Sequence, residues 1–284
     1  APSTGYQQTF ANGAKFQNTG GELTLNIRPL TFRNFAWDVG LQGGINRSKD
    51  VNLSGCNSVG CNYSLQGGLI ENAAIPGQPI GVFYDFGWAR CGLTSAASVG
   101  DPAFAPACAG KKKGTLYIDA TGFPVNDLNQ RIIADPNPKW TGSIRSGVRI
   151  FNIRLSALVD IRHGGAINNG TESSLINYGT LASTVPRATC TTRATAGCTG
   201  NLHSFGTPGF YSGPVTGPGA GMKVPIGENW YRSAALGPAC AYTGVNEPCM
   251  EDGGFTKLRE VSIAYTFQGF FLRRVGFSTV DVRL

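Results

Sequence analysis

The sequence predicts an all-β chain: an antiparallel transmembrane β-barrel segment of about six strands, part of a larger barrel, carrying two long extracellular loops. Three observations predict it. Forty glycines, 16 prolines and only two methionines in 284 residues favour strands and turns over helices. Six stretches alternate apolar and polar residues with the period of a strand exposed differently on its two faces. The connections between them are by turns short and nearly a hundred residues long.

The first strand, "ELTLNIR", sets Leu23, Leu25 and Ile27 against Glu22, Thr24, Asn26 and Arg28. After roughly six residues around Pro29 comes "FAWDVGLQ", with Phe35, Trp37, Val39 and Leu41 against Ala36, Asp38 and Gln42. The third and fourth strands lie in "SIRSGVRIFNIRLSALVDIR", where the alternation changes phase at Phe151 and Asn152. One continuous strand keeps a single parity, so the phase change marks a two-residue hairpin turn. Folding there sets Ile150 opposite Ile153, Val148 opposite Leu155, Ser146 opposite Ala157 and Ile144 opposite Val159, all on one face. Arg145, Gly147, Arg149, Arg154, Ser156, Asp160 and Arg162 take the other face, with Leu158 the one apolar exception. The fifth strand, "LREVSIAYTF", sets Val261, Ile263, Tyr265 and Phe267 against Glu260, Ser262, Ala264 and Thr266. The sixth alternates Val280, Val282 and Leu284 with Thr279, Asp281 and Arg283, so the chain is expected to stop inside a strand.

An oily face backed by an arginine-rich one suits either a β-sandwich with its core on the oily side or a barrel with lipid outside and a wet or plugged interior. The connections separate the two. Segments of roughly 43–139 and 163–256 are too long to be irregular loops of a compact sandwich. Short turns facing long loops are the layout of an outer-membrane barrel. Phe32, Phe35, Trp37, Phe151, Tyr265, Phe267, Phe270 and Phe271 gather at the short-turn end, where an interfacial girdle belongs. No apolar run reaches the roughly 20 residues of a spanning helix, and the opening "APSTGYQQTF" is no signal peptide.

The formal charge of +7 and Lys111, Lys112 and Lys113 invite a nucleic-acid reading, but the arginines are spread along strand faces and no reader motif accompanies them. No nucleic-acid partner is expected. Cys56, Cys61, Cys91 and Cys108 fall in the first long loop, and Cys190, Cys198, Cys240 and Cys249 in the second. Even numbers on the cell-exterior side favour disulfides. Pairing of 56 with 61, 91 with 108, 190 with 198 and 240 with 249 is the simplest scheme. No CxxC supports zinc.

"FQNTGGELTLNIRPLTFRNFAWDVGLQGGINRSKDVNL", "GQPIGVFYDFGWA", "LYIDATGFPVNDLNQRIIADPNPKWTGSI" and "GGFTKLREVSIAYTF" stand in an order that resembles the SusC/RagA branch of TonB-dependent outer-membrane transporters. The resemblance spans nearly the whole chain apart from the cysteine-rich segments. It implies that residues 1–284 are part of a 22-stranded barrel domain in the outer membrane of a Gram-negative-type bacterium, without the plug and the final strands. It further implies a SusD-like surface lipoprotein as partner, a TonB complex reached through the amino-terminal part, contact with outer-membrane lipid, and import of oligosaccharides or peptides. Relatives are richer in Asp where this chain reads "IDATGFPV"; only Asp119 and Gly122 match here, which puts a calcium role in doubt.

No enzyme and no cofactor is expected. His163 and His203 stand in no metal-ligand pattern, and "GPGAGM" neither follows a strand nor opens a helix as a phosphate cradle would. Asp38, Asp160 and Glu260 read as ion-pair partners for the arginines of their face, since Arg149 opposite Arg154 needs nearby negative charge. Tyr84, Trp88, Trp230 and Tyr231 are the candidates for stacking on substrate, with loop packing as the competing role. A secreted or surface-anchored, disulfide-stabilised β-sandwich binding module is the alternative to the transporter.

Overall fold

The computed structural model describes residues 13–54, 62–66, 72–184, 202–206, 211, 213–231 and 245–284. The chain divides into two units, one of residues 1–52, 137–166 and 252–284, the other of residues 53–136 and 167–251.

The first unit holds a six-stranded sheet of β1 (Ala14–Phe32), β2 (Phe35–Leu53), β3 (Trp140–Ile150), β4 (Ile153–His163), β5 (Phe255–Phe267) and β6 (Val280–Arg283), neighbours in that order. The sheet is open, with β1 and β6 at its edges. The β3–β4 hairpin takes the register that the phase change predicts, from Ile150 opposite Ile153 to Ile144 opposite Val159. Phe151 turns the chain with φ of 51°, a region that bulky residues avoid. Hydrogen bonds on both sides hold it there: Phe151 N donates to Asn34 O at 2.7 Å, and Asn152 Nδ2 to Thr266 O at 2.8 Å.

Two details depart from the simple alternation. The first turn is Arg33–Asn34 alone, not six residues around Pro29, so β1 and β2 run 19 residues each. Asn26 lies across from Gly40 and Glu22 across from Gly44, whereas Phe32 meets Phe35 with ring centroids 6.1 Å apart. Those pairings differ by one residue, so β1 carries an extra one between Arg28 and Phe32, the stretch that holds Pro29. Proline lacks an N–H and is tolerated on an edge strand or at a bulge. In β5 the register against β4 shifts between Leu258 and Glu260, leaving Arg259 as the bulged residue.

The two long connections expected as extracellular loops build the second unit, with a core of their own. Both contribute to one core of Trp88, Leu116, Ile118, Ile176, Phe205, Val224, Ile226, Trp230, Tyr231, Val245 and Cys249. A four-stranded sheet of short strands, Tyr63–Gln66, Asn72–Ala74, Val82–Asp85 and Arg131–Ala134, belongs to this unit. So does a helix over Gly170–Tyr178, started by Asn169, whose side chain accepts from Glu172 N, and stopped by Gly179 at φ of 67°. Cys91 and Cys108 are bonded to each other, closing the segment that bears Phe104, whose ring stands edge-on to Tyr117 at 5.1 Å. Cys249 is also in a disulfide. Cys56, Cys61, Cys190, Cys198 and Cys240 lie outside the described residues.

Candidate functional site

The two faces of the six-stranded sheet differ in chemistry all the way across it. On one face the register lines up Phe35, Ile150, Ile153, Tyr265 and Val282 in a row, then Trp37, Val148, Leu155 and Ile263, then Val39, Ser146, Ala157 and Val261, then Leu41, Ile144, Val159 and Leu258. Ser146 is the only polar member, and it accepts a 3.0 Å hydrogen bond from Trp37 Nε1. These apolar side chains stand open to their surroundings: Val261 is 69% exposed, Leu258 63% and Leu155 44%. A sandwich would have buried them. A continuous apolar face of this size marks a surface that meets another apolar phase. The 11-residue strands β3 and β4 are each about 36 Å long at roughly 3.3 Å per residue, enough to cross a bilayer core when tilted.

The opposite face borders a cavity of about 1100 Å³ lined by, among others, Arg28, Asp38, Arg145, Arg149, Arg154 and Glu260. Its rows read differently. Ala36, Arg149, Arg154, Ala264 and Arg283 form one, and Asp38, Gly147, Ser156 and Ser262 the next. Gly40, Arg145, Leu158 and Glu260 form a third. Asp38, Asp160 and Glu260 are each paired with an arginine. Arg28 Nε bonds Asp38 Oδ1 at 2.6 Å, Arg259 Nε bonds Asp160 Oδ2 at 2.7 Å, and Arg283 is paired with Glu260. Asp281 Oδ1 accepts from Thr266 Oγ1 at 2.5 Å. Arg145, Arg149 and Arg154 have no ion pair among the described residues, although Arg149 stands directly opposite Arg154. The ion pairs that do form are well exposed, so each adds little stability by itself; their effect is to decide which arginines keep a free charge.

Arg145, Arg149, Arg154, Asp160, Arg162 and Glu260 therefore share one face, as the alternation predicts. The stacking candidates fare differently. Trp88, Trp230 and Tyr231 are 1%, 5% and 7% exposed and pack in the core of the second unit, so they offer no open ring to a substrate. Trp88 meets Tyr211 edge-on at 4.9 Å, and Trp230 lies 5.7 Å from Phe205 and 5.1 Å from Tyr231. The physical reason is size: a unit built of short strands and turns needs large rings to fill its interior. Tyr84 is half-buried in the strand Val82–Asp85.

The remaining sequence candidates have local structural roles. The Asp119 carboxylate accepts from Thr121 N at 2.8 Å and from Thr121 Oγ1 at 2.5 Å, closing a turn. No group of three or more metal-ligating side chains exists among the described residues. "GPGAGM" packs its backbone on that turn: a Cβ at Gly219 would overlap the carbonyl of Asp119. His163 stacks on Trp140, its partner in register, at 5.5 Å. No helix of the described residues is long and apolar enough to cross a membrane.

No family model matches the chain. Over 280 residues, 98% of its length, the chain is 21% identical to TonB-dependent receptor P3 of Formosa agariphila, of which it covers 24%. It also matches solved structures of the RagAB peptide importer. In the "open-open" state the TM-score is 0.55 at 14% identity, covering all of this chain and 26% of that one; in the "closed-closed" state it is 0.54 at 16% identity, covering all of this chain and 27% of that one. The chain thus spans about a quarter of the length of the proteins that it matches.

Proposed function

We propose that this chain, similar to TonB-dependent receptor P3 and to the RagAB peptide importer over about a quarter of their length, is part of a RagA-like TonB-dependent receptor and forms barrel wall and extracellular loops of an outer-membrane importer. The apolar face meets lipid, and the arginine face lines the enclosed path. The second unit is the part presented to the cell exterior, where its disulfides are chemically stable. The cargo is an oligosaccharide or a peptide, handed over with a SusD-like surface lipoprotein, and the energy comes from a TonB complex that engages the amino-terminal part of the receptor. The role is transport and not catalysis.

One observation carries this reading: a single sheet holds an exposed apolar face and a cationic, cavity-lining face on alternate residues of the same strands. A soluble binding module has no use for the first of these. The test is fractionation of the full-length receptor in a host that bears it. Recovery with the outer membrane and release only by detergent is the expected outcome, together with loss of oligosaccharide or peptide uptake when the gene is deleted. A receptor that stays monomeric in detergent-free buffer would instead favour the β-sandwich module.

A further inference from the structure

The positive charge of this protein is not spread evenly. The segments that build the six-stranded sheet hold 15 Lys and Arg against seven Asp and Glu, while the other segments hold nine against ten, so the net +7 resides entirely with the sheet. On the cavity face, Asp38 is paired with Arg28 of β1 and Glu260 with Arg283 of β6, both toward the edges, while Asp281 of β6 accepts from Thr266. The central hairpin β3–β4 is left with Arg145, Arg149 and Arg154, and the residues flanking the Arg149–Arg154 pair in its row are Ala36 and Ala264.

Two like charges directly opposite on a sheet repel, so a fold that keeps them side by side gains when an anion bridges them. Guanidinium groups present planar forks that bind a carboxylate through two parallel hydrogen bonds. Arg145 lies four residues from Arg149 along the strand, roughly 13 Å at about 3.3 Å per residue. That spacing suits a second acidic group on the same extended ligand, lying along the hairpin. The adjoining cavity of about 1100 Å³ exceeds what one small anion needs and has the room for several linked residues or sugars.

Resting on the import reading, we propose that Arg145, Arg149 and Arg154 are a station for the carboxylate groups of an extended acidic cargo, and that they bias the importer toward carboxylate-bearing over neutral cargo. A cationic, partly enclosed wall raises the local concentration of anions, and the free guanidinium groups then hold cargo without first breaking an ion pair. Asp38, Asp160 and Glu260, by keeping their own arginines occupied, confine the free charge to the middle of the hairpin.

The experiment measures uptake by the full-length receptor in cells, comparing wild type with Arg149→Gln/Arg154→Gln and with Arg149→Lys/Arg154→Lys, at matched receptor amounts in the membrane. Two probe pairs serve: a labelled hexapeptide alternating Asp and Ala against its Asn and Ala counterpart, and an oligogalacturonate against its methyl ester. The expected result is that the Gln variant lowers the acidic-to-neutral uptake ratio about tenfold in at least one pair with neutral uptake unchanged, and that the Lys variant retains part of the preference. The pair that responds identifies the cargo as peptide or sugar. An unchanged ratio overturns the proposal. So does an equal fall for acidic and neutral probes, or a Gln variant that fails to assemble, since either would make the arginines supports for the barrel or for a resident acidic segment. Wild-type receptor that imports none of the four probes, with cells lacking the gene unaffected, would count against the import reading itself and not against charge selection alone.

Discussion

The space beside Gly87 is filled by a carboxylate that lies far off in sequence and by the arginine it binds. Glu247 receives Arg131 Nη2 at 2.5 Å and Trp88 N at 3.1 Å, and is paired with Arg90, so two arginines from one long segment converge on an acid from the other. Any Cβ at Gly87 would occupy the space of the Arg131 guanidinium and the Glu247 carboxylate. Glu172 and Glu251 form a second polar junction, bridged by Asn169, whose Nδ2 reaches Glu251 Oε1 at 2.7 Å and Glu172 Oε2 at 3.4 Å. Burial pushes the Glu172 carboxyl up, helped by its hydrogen bond to Glu251 and by that neighbour's charge. Hydrogen bonds from Asn169 and Glu172 hold Glu251 down, against the pull of burial. The raised group binds its proton more tightly folded than unfolded, so its stabilisation is complete below the ordinary glutamate pKa of about 4.3 and is lost as pH rises through its own higher value. The lowered group contributes above the ordinary range and loses that contribution as pH falls through its own value. Glu172→Gln, neutral at every pH and still able to donate to Glu251, is predicted to flatten the decline in second-unit stability as pH rises past the glutamate range. Protease resistance of this unit measured against pH checks it, and an identical slope in wild type and variant would refute the carboxyl pair as its source.

At the scale of elements, side-chain direction alternates so strictly that adjacent residues of one strand belong to faces of different chemistry. Val159 belongs to the apolar row of Leu41, Ile144 and Leu258, whereas Leu158 lines the cavity beside Arg145. On the proposal that the apolar face meets lipid, Val159→Lys is predicted to cost up to about 2–4 kcal/mol, the range for a cation turned into the bilayer. Leu158→Lys, turned toward water, should cost far less. Urea unfolding of the full-length receptor in lipid vesicles measures both, and equal costs would contradict the two-sided reading. Most of this element structure was legible in the sequence. The parity change at Phe151 and Asn152 gave the hairpin and its register because periodicity is a property of the chain itself. The bulge at Arg259 and the extra residue near Pro29 were not legible, since a bulge is defined by the partner strand, which periodicity does not see.

For the molecule as a whole, the open sheet among the described residues leaves β1 and β6 with unpaired edges beside a largely apolar face. Hydrocarbon tolerates no unpaired strand edge, and water invites edge-to-edge pairing. Residues 1–284 expressed alone are therefore predicted to aggregate in detergent-free buffer and to remain dispersed only in detergent, which size-exclusion chromatography reads directly. A sharp monomer peak without detergent would show that the apolar face has found cover within the chain. The same scale explains why Trp88, Trp230 and Tyr231 take the packing role and not the stacking one. Aromatic residues in long connections read as surface groups when the connections are taken as loops. They are interior once two segments, distant in sequence, fold on one another.

By itself the sequence determined which residues share a face, where the hairpin turns and which of the strand faces is apolar, because each follows from local alternation and short spacing. Tertiary structure alone decided which arginines find an acid among the described residues. It also decided that the long connections build a core, and that the candidate stacking rings fill it. Those outcomes depend on partners that lie tens to more than a hundred residues away, such as Glu247 for Arg90 and Arg131, or Asp160 for Arg259. No pattern read along the chain encodes which distant group will arrive first at a given charge.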